Sequence, residues 1–304
     1  MRIFVTGTEG QVARSLREAA AKDHGLVLGW GARPAFDLAQ PDAAARAIEA
    51  FEPDLVVNPA AYTAVDRAES EPELAFAINR DGAGAVAAAA ARAGAPVIQL
   101  STDYVFDGTK DSPYVENDPP CPVGVYGRSK LAGEQAVATA NARHIILRTA
   151  WVYAPFGANF VRTMLRLAAE RDKLRVVDDQ VGCPTYAPDI ADAILAIARL
   201  IGHGGWRPAF TGVTNLAGPD AVSWRGFAEA IIAGAACRGG HRPTIEAITT
   251  ADYPTPAKRP ANSRLNTGRL AQQFGIRLPA CETSLNRCLD ELLGAPASHE
   301  GIIQ

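Results

Sequence analysis

Ile3-Phe4-Val5-Thr6-Gly7-Thr8-Glu9-Gly10-Gln11-Val12-Ala13 decides the fold. Residues 3–6 are a short apolar, mostly β-branched or aromatic run, which predicts a buried strand. Residues 11–22 carry Val12, Leu16 and Ala19 on one face, which predicts a helix. Gly7 and Gly10 lie between the two. Glycine lets a backbone turn sharply and approach a ligand, and the N–H groups that open a helix attract negative charge. The G-x-x-G-x-x-A spacing therefore suits a pyrophosphate. It also suits an ordinary strand-to-helix turn, with Ala13 where a third glycine would ease packing. Its place in the first β-α unit favours the ligand.

Outward from that unit the pattern repeats. Strands are predicted at 26–30, 55–58, 97–101 and 144–149, with helices at 42–51, 74–92 and 126–141. This alternation predicts a Rossmann-like, doubly wound parallel sheet whose loops after the strands gather on one ligand-binding edge. Past residue 150 the rhythm loosens. Helical stretches at 160–171, 190–201, 224–236 and 284–293 are separated by Gly/Pro-rich loops at 202–208 and 253–260. We expect a dinucleotide-binding domain over 1–150 and a smaller C-terminal substrate-binding lobe over 151–304. A late strand near 214–216 rejoins the sheet, and the last ten residues read as loose.

The 304 residues carry 30 basic and 33 acidic side chains, a formal charge of −3, with 48% hydrophobic and 21% charged. That is ordinary for a globular protein large enough to fold without metal or disulfide staples. The balance gives no general attraction to nucleic acid or to an anionic membrane, so an anionic ligand needs local donors. Five cysteines make an odd count with no C-x-x-C pair, and five histidines show no metal-ligand spacing. The chain opens directly into a strand, without a signal segment, and the alanine-rich stretch 83–95 is broken by Arg92. A cytoplasmic protein is expected.

Tyr126-Gly127-Arg128-Ser129-Lys130 puts a phenol and an ammonium at i, i+4 on one helix face. A neighbouring cation would draw a tyrosine, ordinarily near pKa 10, toward the working range and ready it as a proton donor. Y-x-x-x-K alone is weak, but Ser101-Thr102-Asp103 follows an apolar strand and sets the Thr102 hydroxyl on the same ligand edge. A hydroxyl, a tuned phenol and a dinucleotide turn are what hydride delivery to a carbonyl requires. The second strand ends Trp30-Gly31-Ala32-Arg33 rather than in the acid that binds a ribose hydroxyl. Arg33 would suit a 2′-phosphate, favouring NADPH over NADH; a solvated surface arginine fits equally well.

With those residues in view, the chain resembles the extended short-chain dehydrogenase/reductases, and within them the dTDP-4-dehydrorhamnose reductases. The resemblance runs from Arg2 to about Leu293 through Asn58-Pro59-Ala60-Ala61-Tyr62-Thr63-Ala64-Val65-Asp66-Arg67-Ala68-Glu69, Ser101-Thr102-Asp103-Tyr104-Val105-Phe106 and Arg148-Thr149-Ala150-Trp151-Val152-Tyr153. It continues through Asp179-Gln180-Val181-Gly182-Cys183-Pro184-Thr185 and the proline-braced loop 253–265. It implies NAD(P)H-dependent reduction of the 4-keto group of dTDP-4-dehydro-L-rhamnose to dTDP-L-rhamnose for cell-envelope polysaccharide.

By the same resemblance Tyr126 gives the proton, Lys130 tunes it and holds the nicotinamide ribose, and Thr102 bonds the sugar near C4. Asp103 and Trp151 contact the sugar nucleotide. Gly10, Gln11 and Val12 line the pyrophosphate, Asp37 and Leu38 the adenine side, and Ala61, Tyr62 and Thr63 the cofactor's inner face. In the 253–265 loop Lys258, Arg259 and Arg264 suit a diphosphate, because a guanidinium pairs two oxygens at once; a solvated basic loop is the simpler alternative.

Three features depart from the family pattern. Trp30 stands where relatives carry a ribose-binding acid, which leaves cofactor preference open. Gly124 replaces an asparagine. Relatives use Mg²⁺ between acidic subunit surfaces, and Ser15 occupies the place of one such glutamate, so the sequence does not support that metal or a metal-linked homodimer. Asp66, Arg67, Glu69 and Glu71 read most simply as a charged helix start. Two alternatives stay open: another epimerase or reductase of the superfamily, and a non-catalytic, reductase-like regulatory subunit.

Overall fold

The computed structural model describes residues 1–296, so most of the terminal stretch expected to be loose lies outside the described residues. In chain order the first half runs β1 (Arg2–Thr6), α1 (Gln11–Ala20), β2 (Val27–Gly31), α2 (Pro41–Phe51), β3 (Leu55–Asn58), α3 (Val65–Ala68) and α4 (Pro72–Phe76). A wide, π-helical turn over Ala77–Gly82 leads into α5 (Ala83–Arg92), followed by β4 (Val97–Thr102), α6 (Val125–Ala140) and β5 (His144–Thr149). Then come β6 (Val152–Tyr153), α7 (Phe160–Glu170), β7 (Lys173–Val177), β8 (Val181–Gly182), β9 (Thr185–Tyr186) and α8 (Ala187–Gly204). The chain closes with β10 (Gly212–Asn215), β11 (Val222–Ser223), α9 (Trp224–Ala236), β12 (Thr244–Ile248), α10 (Gly268–Phe274) and α11 (Cys281–Leu293).

Six strands form one sheet in the order β10-β5-β4-β3-β1-β2, every pair parallel. Side chains alternate across it. Ile3, Val5, Val57 and Leu147 face α1 and α8, while Phe4, Val56 and Ile146 face α2 and α5. Both faces are covered, which is why the strands read as unbroken apolar runs. Among the described residues no helix is long and apolar enough to cross a membrane. A third cluster joins α7, α9 and α11 around Tyr153, Phe227 and Leu289, with β7 and β12 paired beside it.

The helix expected over 74–92 is instead α4, the wide turn and α5. Tertiary contact sets the difference, since a Cβ at Gly133 of α6 would run into the Asn79 carbonyl, so the two backbones touch there. The wide turn also aims Asn79 at the loop after β3. Its Oδ1 accepts from Tyr62 N at 2.8 Å, and its Nδ2 donates to Tyr62 O at 3.1 Å and to Ser129 Oγ at 3.0 Å. Wide turns of this kind often mark functional sites; here one clamps a loop against a cleft.

Candidate active site

The carboxyl ends of β1, β3 and β4 open into a cleft of about 1180 Å³. Gly7 sits at its base with φ +80°, a backbone region that disfavours side chains, and its N–H donates to Gly31 O at 2.5 Å. Gly10 caps α1 without a side chain, and a Cβ there would meet nothing within 4 Å. No acid stands in the first turn and no side chain caps it, so its N–H groups beside Gln11 and Val12 are left for a ligand in the cleft, which Glu9 also lines. This donor set fits a dinucleotide pyrophosphate. Gln11 is steadied from the second half of the chain, its Oε1 accepting from Asn159 Nδ2 at 2.9 Å.

Arg33 is exposed on the cleft wall, with Asp37 and Leu38 beyond it. Asp37 Oδ1 accepts from Ala39 N at 2.9 Å, which shapes the bend in front of α2. Ala61, Tyr62 and Thr63 line the opposite wall. The Tyr62 hydroxyl donates to Glu71 at 2.6 Å and Arg67 pairs with the same carboxylate at 2.6 Å. Those bonds hold the Glu71 carboxyl below its ordinary range and raise the Tyr62 phenol.

Tyr126 is the second residue of α6, and Thr102 is the last of β4. Both line the cleft with Lys130 and Tyr104, whose ring meets that of Tyr126 edge-on at 5.5 Å between centroids. Lys130 is 4% exposed, and its Nζ donates to Leu100 O at 2.6 Å. Burial pushes the Lys130 ammonium down to about 8, against the nearby Glu134 carboxylate. The phenol was expected to be drawn down by that ammonium. Burial instead raises Tyr126 above the usual tyrosine range, and the Thr102 hydroxyl only partly offsets it. Sharing a helix face brings the lysine close, but its ammonium is turned to a strand carbonyl. Tyr126 is accordingly a fully protonated phenol at neutral pH.

Thr102 Oγ1 donates to Asp103 Oδ1 at 2.9 Å and accepts from Tyr104 N at 3.2 Å. Asp103 is 2% exposed, and its Oδ2 has no hydrogen-bond partner among the described residues. Burial outweighs the Thr102 and Ser263 hydroxyls and pushes the Asp103 carboxyl up to about 7. Trp151, at φ +47°, stacks flat on Trp224 at 3.4 Å, and its Nε1 donates to Ser263 Oγ at 3.1 Å. Ser263 thus holds one of the two residues expected to meet a sugar, and sequence spacing gave no hint of it.

Of the three basic side chains read together in the 253–265 loop, only Arg259 lines the cleft, among the described residues. Its Nη2 pairs with Asp66 at 2.8 Å, and its Nη1 donates to Tyr104 Oη at 3.3 Å. Arg264 turns away and holds the chain instead, donating to Asn262 Oδ1 at 2.8 Å and Asp111 O at 2.5 Å. Behind the catalytic edge a buried polar chain crosses the sheet. Thr6 donates to Asn58, Asn58 Nδ2 to Gln99 Oε1 at 2.6 Å, and Gln99 Nε2 to Leu100 O at 2.8 Å, the carbonyl that Lys130 also uses. Glu134 takes Ser101 Oγ at 2.5 Å and both arms of Arg148 at 2.6 and 2.9 Å.

Ser15 is 2% exposed and donates to Gln11 O at 2.8 Å within α1, which turns it inward from any metal between subunits. Among the described residues no group of three or more His, Cys, Asp or Glu side chains is placed to hold a metal ion.

Comparison with known proteins finds relatives over nearly the whole chain. The family profile described as RmlD substrate binding domain matches residues 1–293. The dTDP-4-dehydrorhamnose reductase of Sinorhizobium fredii is 51% identical over 294 residues, 96% of this chain and 98% of the relative. A crystal structure of a dTDP-4-dehydrorhamnose reductase from Clostridium acetobutylicum superposes with a TM-score of 0.88 at 34% identity, covering 96% of this chain and 99% of that one. The corresponding protein of Bacillus anthracis, solved in complex with NADP, gives a TM-score of 0.86 at 32% identity, over 95% and 99% of the two chains.

Proposed function

The chain belongs to the RmlD substrate-binding-domain family of dTDP-4-dehydrorhamnose reductases, and from that premise we propose how its residues serve the reaction. The protein is an NAD(P)H-dependent oxidoreductase that reduces the 4-keto group of dTDP-4-dehydro-L-rhamnose to give dTDP-L-rhamnose. One observation carries the assignment of roles: the phenol of Tyr126, the hydroxyl of Thr102 and the glycine turn before α1 line one cleft.

The bound dinucleotide supplies the hydride. The open first turn of α1 holds its pyrophosphate, and the walls bearing Arg33, Asp37 and Leu38, and Ala61 to Thr63, take the adenosine and nicotinamide sides. Thr102 and Tyr126 converge on the ketone oxygen, where Tyr126 gives up its proton as negative charge develops. As the phenolate forms, the Thr102 hydroxyl turns its one O–H from Asp103 to steady it until solvent returns a proton. Lys130, anchored on Leu100 O, keeps further N–H bonds that would hold the cofactor's ribose. Asp103, Trp151 and Arg259 meet the sugar and its diphosphate.

Residues 151–304 serve mainly as the substrate lobe in this scheme, with β10 and α8 given back to the sheet. Five free cysteines support placing the protein in the reducing cytoplasm. Self-association as a homodimer is proposed without the metal, and sedimentation of the purified protein at twice the monomer mass checks it.

The direct test incubates purified protein with NADPH and the 4-keto sugar nucleotide, following dinucleotide oxidation and the mass and stereochemistry of the product. Stoichiometric oxidation with formation of the L-rhamno sugar is expected. An epimerase would return the hydride and leave absorbance unchanged. A regulatory subunit would bind NADPH and never oxidise it.

A further inference from the structure

We infer that Glu69 is a positioning residue for the proton donor, acting through the start of the helix that carries Tyr126. The inference rests on the reductase reading above.

Helix α6 begins in an unusual way for one that bears a catalytic group. Its N-cap is Gly124, at φ −116° and ψ 168°, so no side chain caps it, and no acid stands in its first turn. Glycine offers nothing to accept from the free N–H groups there, which elsewhere a Ser, Thr, Asp or Asn side chain would satisfy. The acceptor arrives from another element. Glu69, directly after α3, takes the Val125 N–H on Oε1 at 2.7 Å. A carboxylate at that end also meets the positive pole of the helix. Tyr126 is the very next residue.

The same short helix fixes the phenol sideways. Ala68 is wholly buried against Ala75 and Val125, and the Tyr62 and Tyr126 rings pack on that cluster. At Gly124 a Cβ would stand 2.9 Å from Glu69 Oε1, so the carboxylate lies directly over the uncapped start of the helix. Farther along, Gly127 and Gly133 press α6 against the carbonyls of Tyr104 and Asn79, so its body has little freedom to follow a displaced first turn. A loosened start would therefore move the phenol relative to Thr102. An error of about 1 Å at a reacting group costs up to roughly 10² in rate.

The chemistry supplies a reciprocal test. Glu69→Ala removes the cap. Gly124→Asn adds a side chain that can itself accept from the first-turn N–H groups, and the movable end of Glu69 can give way to it. The double variant keeps the new cap in place of the lost one. We expect Glu69→Ala to lower kcat by roughly 10–100-fold, with the NADPH Kd within about twofold of wild type by fluorescence titration. Glu69→Gln, which keeps the accepting oxygen, retains most of the rate. Gly124→Asn alone stays close to wild type, and the double variant recovers most of the Glu69→Ala loss.

Backbone amide exchange at Val125, Tyr126 and Gly127 reads the same cycle without substrate, faster in Glu69→Ala and slowed again in the double variant. A Glu69→Ala enzyme with wild-type kcat, or losses that simply add in the double variant, overturns the inference. If the exchange cycle behaves as expected while wild-type protein leaves NADPH unoxidised with the keto sugar, the reductase assignment fails instead, and Glu69 is a cap with no catalytic consequence.

Discussion

The ammonium of Lys130 donates to the carbonyl oxygen of Leu100 at 2.6 Å, which ties the catalytic helix to the central strand β4. Burial holds that ammonium at about 8, below its ordinary 10.5. The folded chain therefore binds fewer protons than the unfolded chain between those values. Lys130's favourable contribution is present above pH 10.5 and lost as pH falls through about 8. Activity should run the other way, because in the role proposed for Lys130 it is the charged form that would hold a ribose. We expect kcat/KM to fall on an alkaline limb near pH 8. Lys130→Met should lose activity yet unfold later than wild type at pH 7, by at most about 3 kcal/mol. A rate profile flat well above that limb removes Lys130 from this role.

Asp103 gives a second pH signature, of opposite sign. Its folded carboxyl lies at about 7 against 3.8 when solvated, so its stabilising share is complete below pH 3.8 and gone once pH passes about 7. Asp103→Asn abolishes that dependence. The variant should be the more stable protein at pH 8, by up to about 4 kcal/mol, with the gap closing below pH 4. Thermal melts of the pair across pH measure it. A difference in Tm that stays constant with pH would mean the carboxyl titrates normally.

Much of this was legible in sequence, and the rest fails for identifiable reasons. Buried parallel strands are uninterrupted apolar runs, so 55–58 and 144–149 could be placed to the residue. The glycine turn and the Tyr126/Lys130 spacing were readable because each is local. Two-residue strands such as β6, β8, β9 and β11 are too short to show a period. The wide turn at 77–82 depends on contact with Gly133, which no local pattern carries. Asp66 and Glu69 look like a solvated helix start until Arg259 and the Val125 N–H are brought to them across the fold. Even the local Tyr126/Lys130 signal misled on one point, since i, i+4 spacing fixes a shared face but not the direction of an ammonium.

Tyr126 is a protonated phenol lining the cleft beside Thr102 and the proposed proton donor, so its removal should separate chemistry from binding. Tyr126→Phe keeps the ring against Tyr104 and loses only the hydroxyl. We expect kcat to drop by roughly 10²–10⁴, with the NADPH Kd unchanged in a fluorescence titration. A variant that keeps more than about a tenth of the rate would show that the proton comes from elsewhere.

We propose that Arg33, exposed on the cleft wall, sets cofactor choice. A guanidinium facing a 2′-phosphate forms charge-assisted bonds of about 1.5–3 kcal/mol, and solvent at an exposed site weakens them. Arg33→Ala should raise the KM for NADPH by roughly tenfold and leave that for NADH nearly untouched. The NADPH effect should shrink at high ionic strength. Equal losses with both cofactors would make Arg33 a surface residue.

Arg259 reaches the cleft while one arm is held by Asp66 and the other meets the Tyr104 hydroxyl. A guanidinium fixed in this way presents N–H bonds to a diphosphate without first being ordered, so its removal should weaken ground-state binding more than the chemical step. Arg259→Ala is expected to raise the KM for the sugar nucleotide by roughly 10–100-fold, with kcat within a few-fold and NADPH affinity unchanged. Lysine should not rescue it, because a single ammonium cannot hold Asp66 and a phosphate in the same fork. Asp66→Ala should give a weaker version of the same change, since the guanidinium remains but loses its anchor. If Arg259→Ala instead lowered kcat at unchanged KM, the guanidinium would be acting on the reacting centre rather than on the diphosphate.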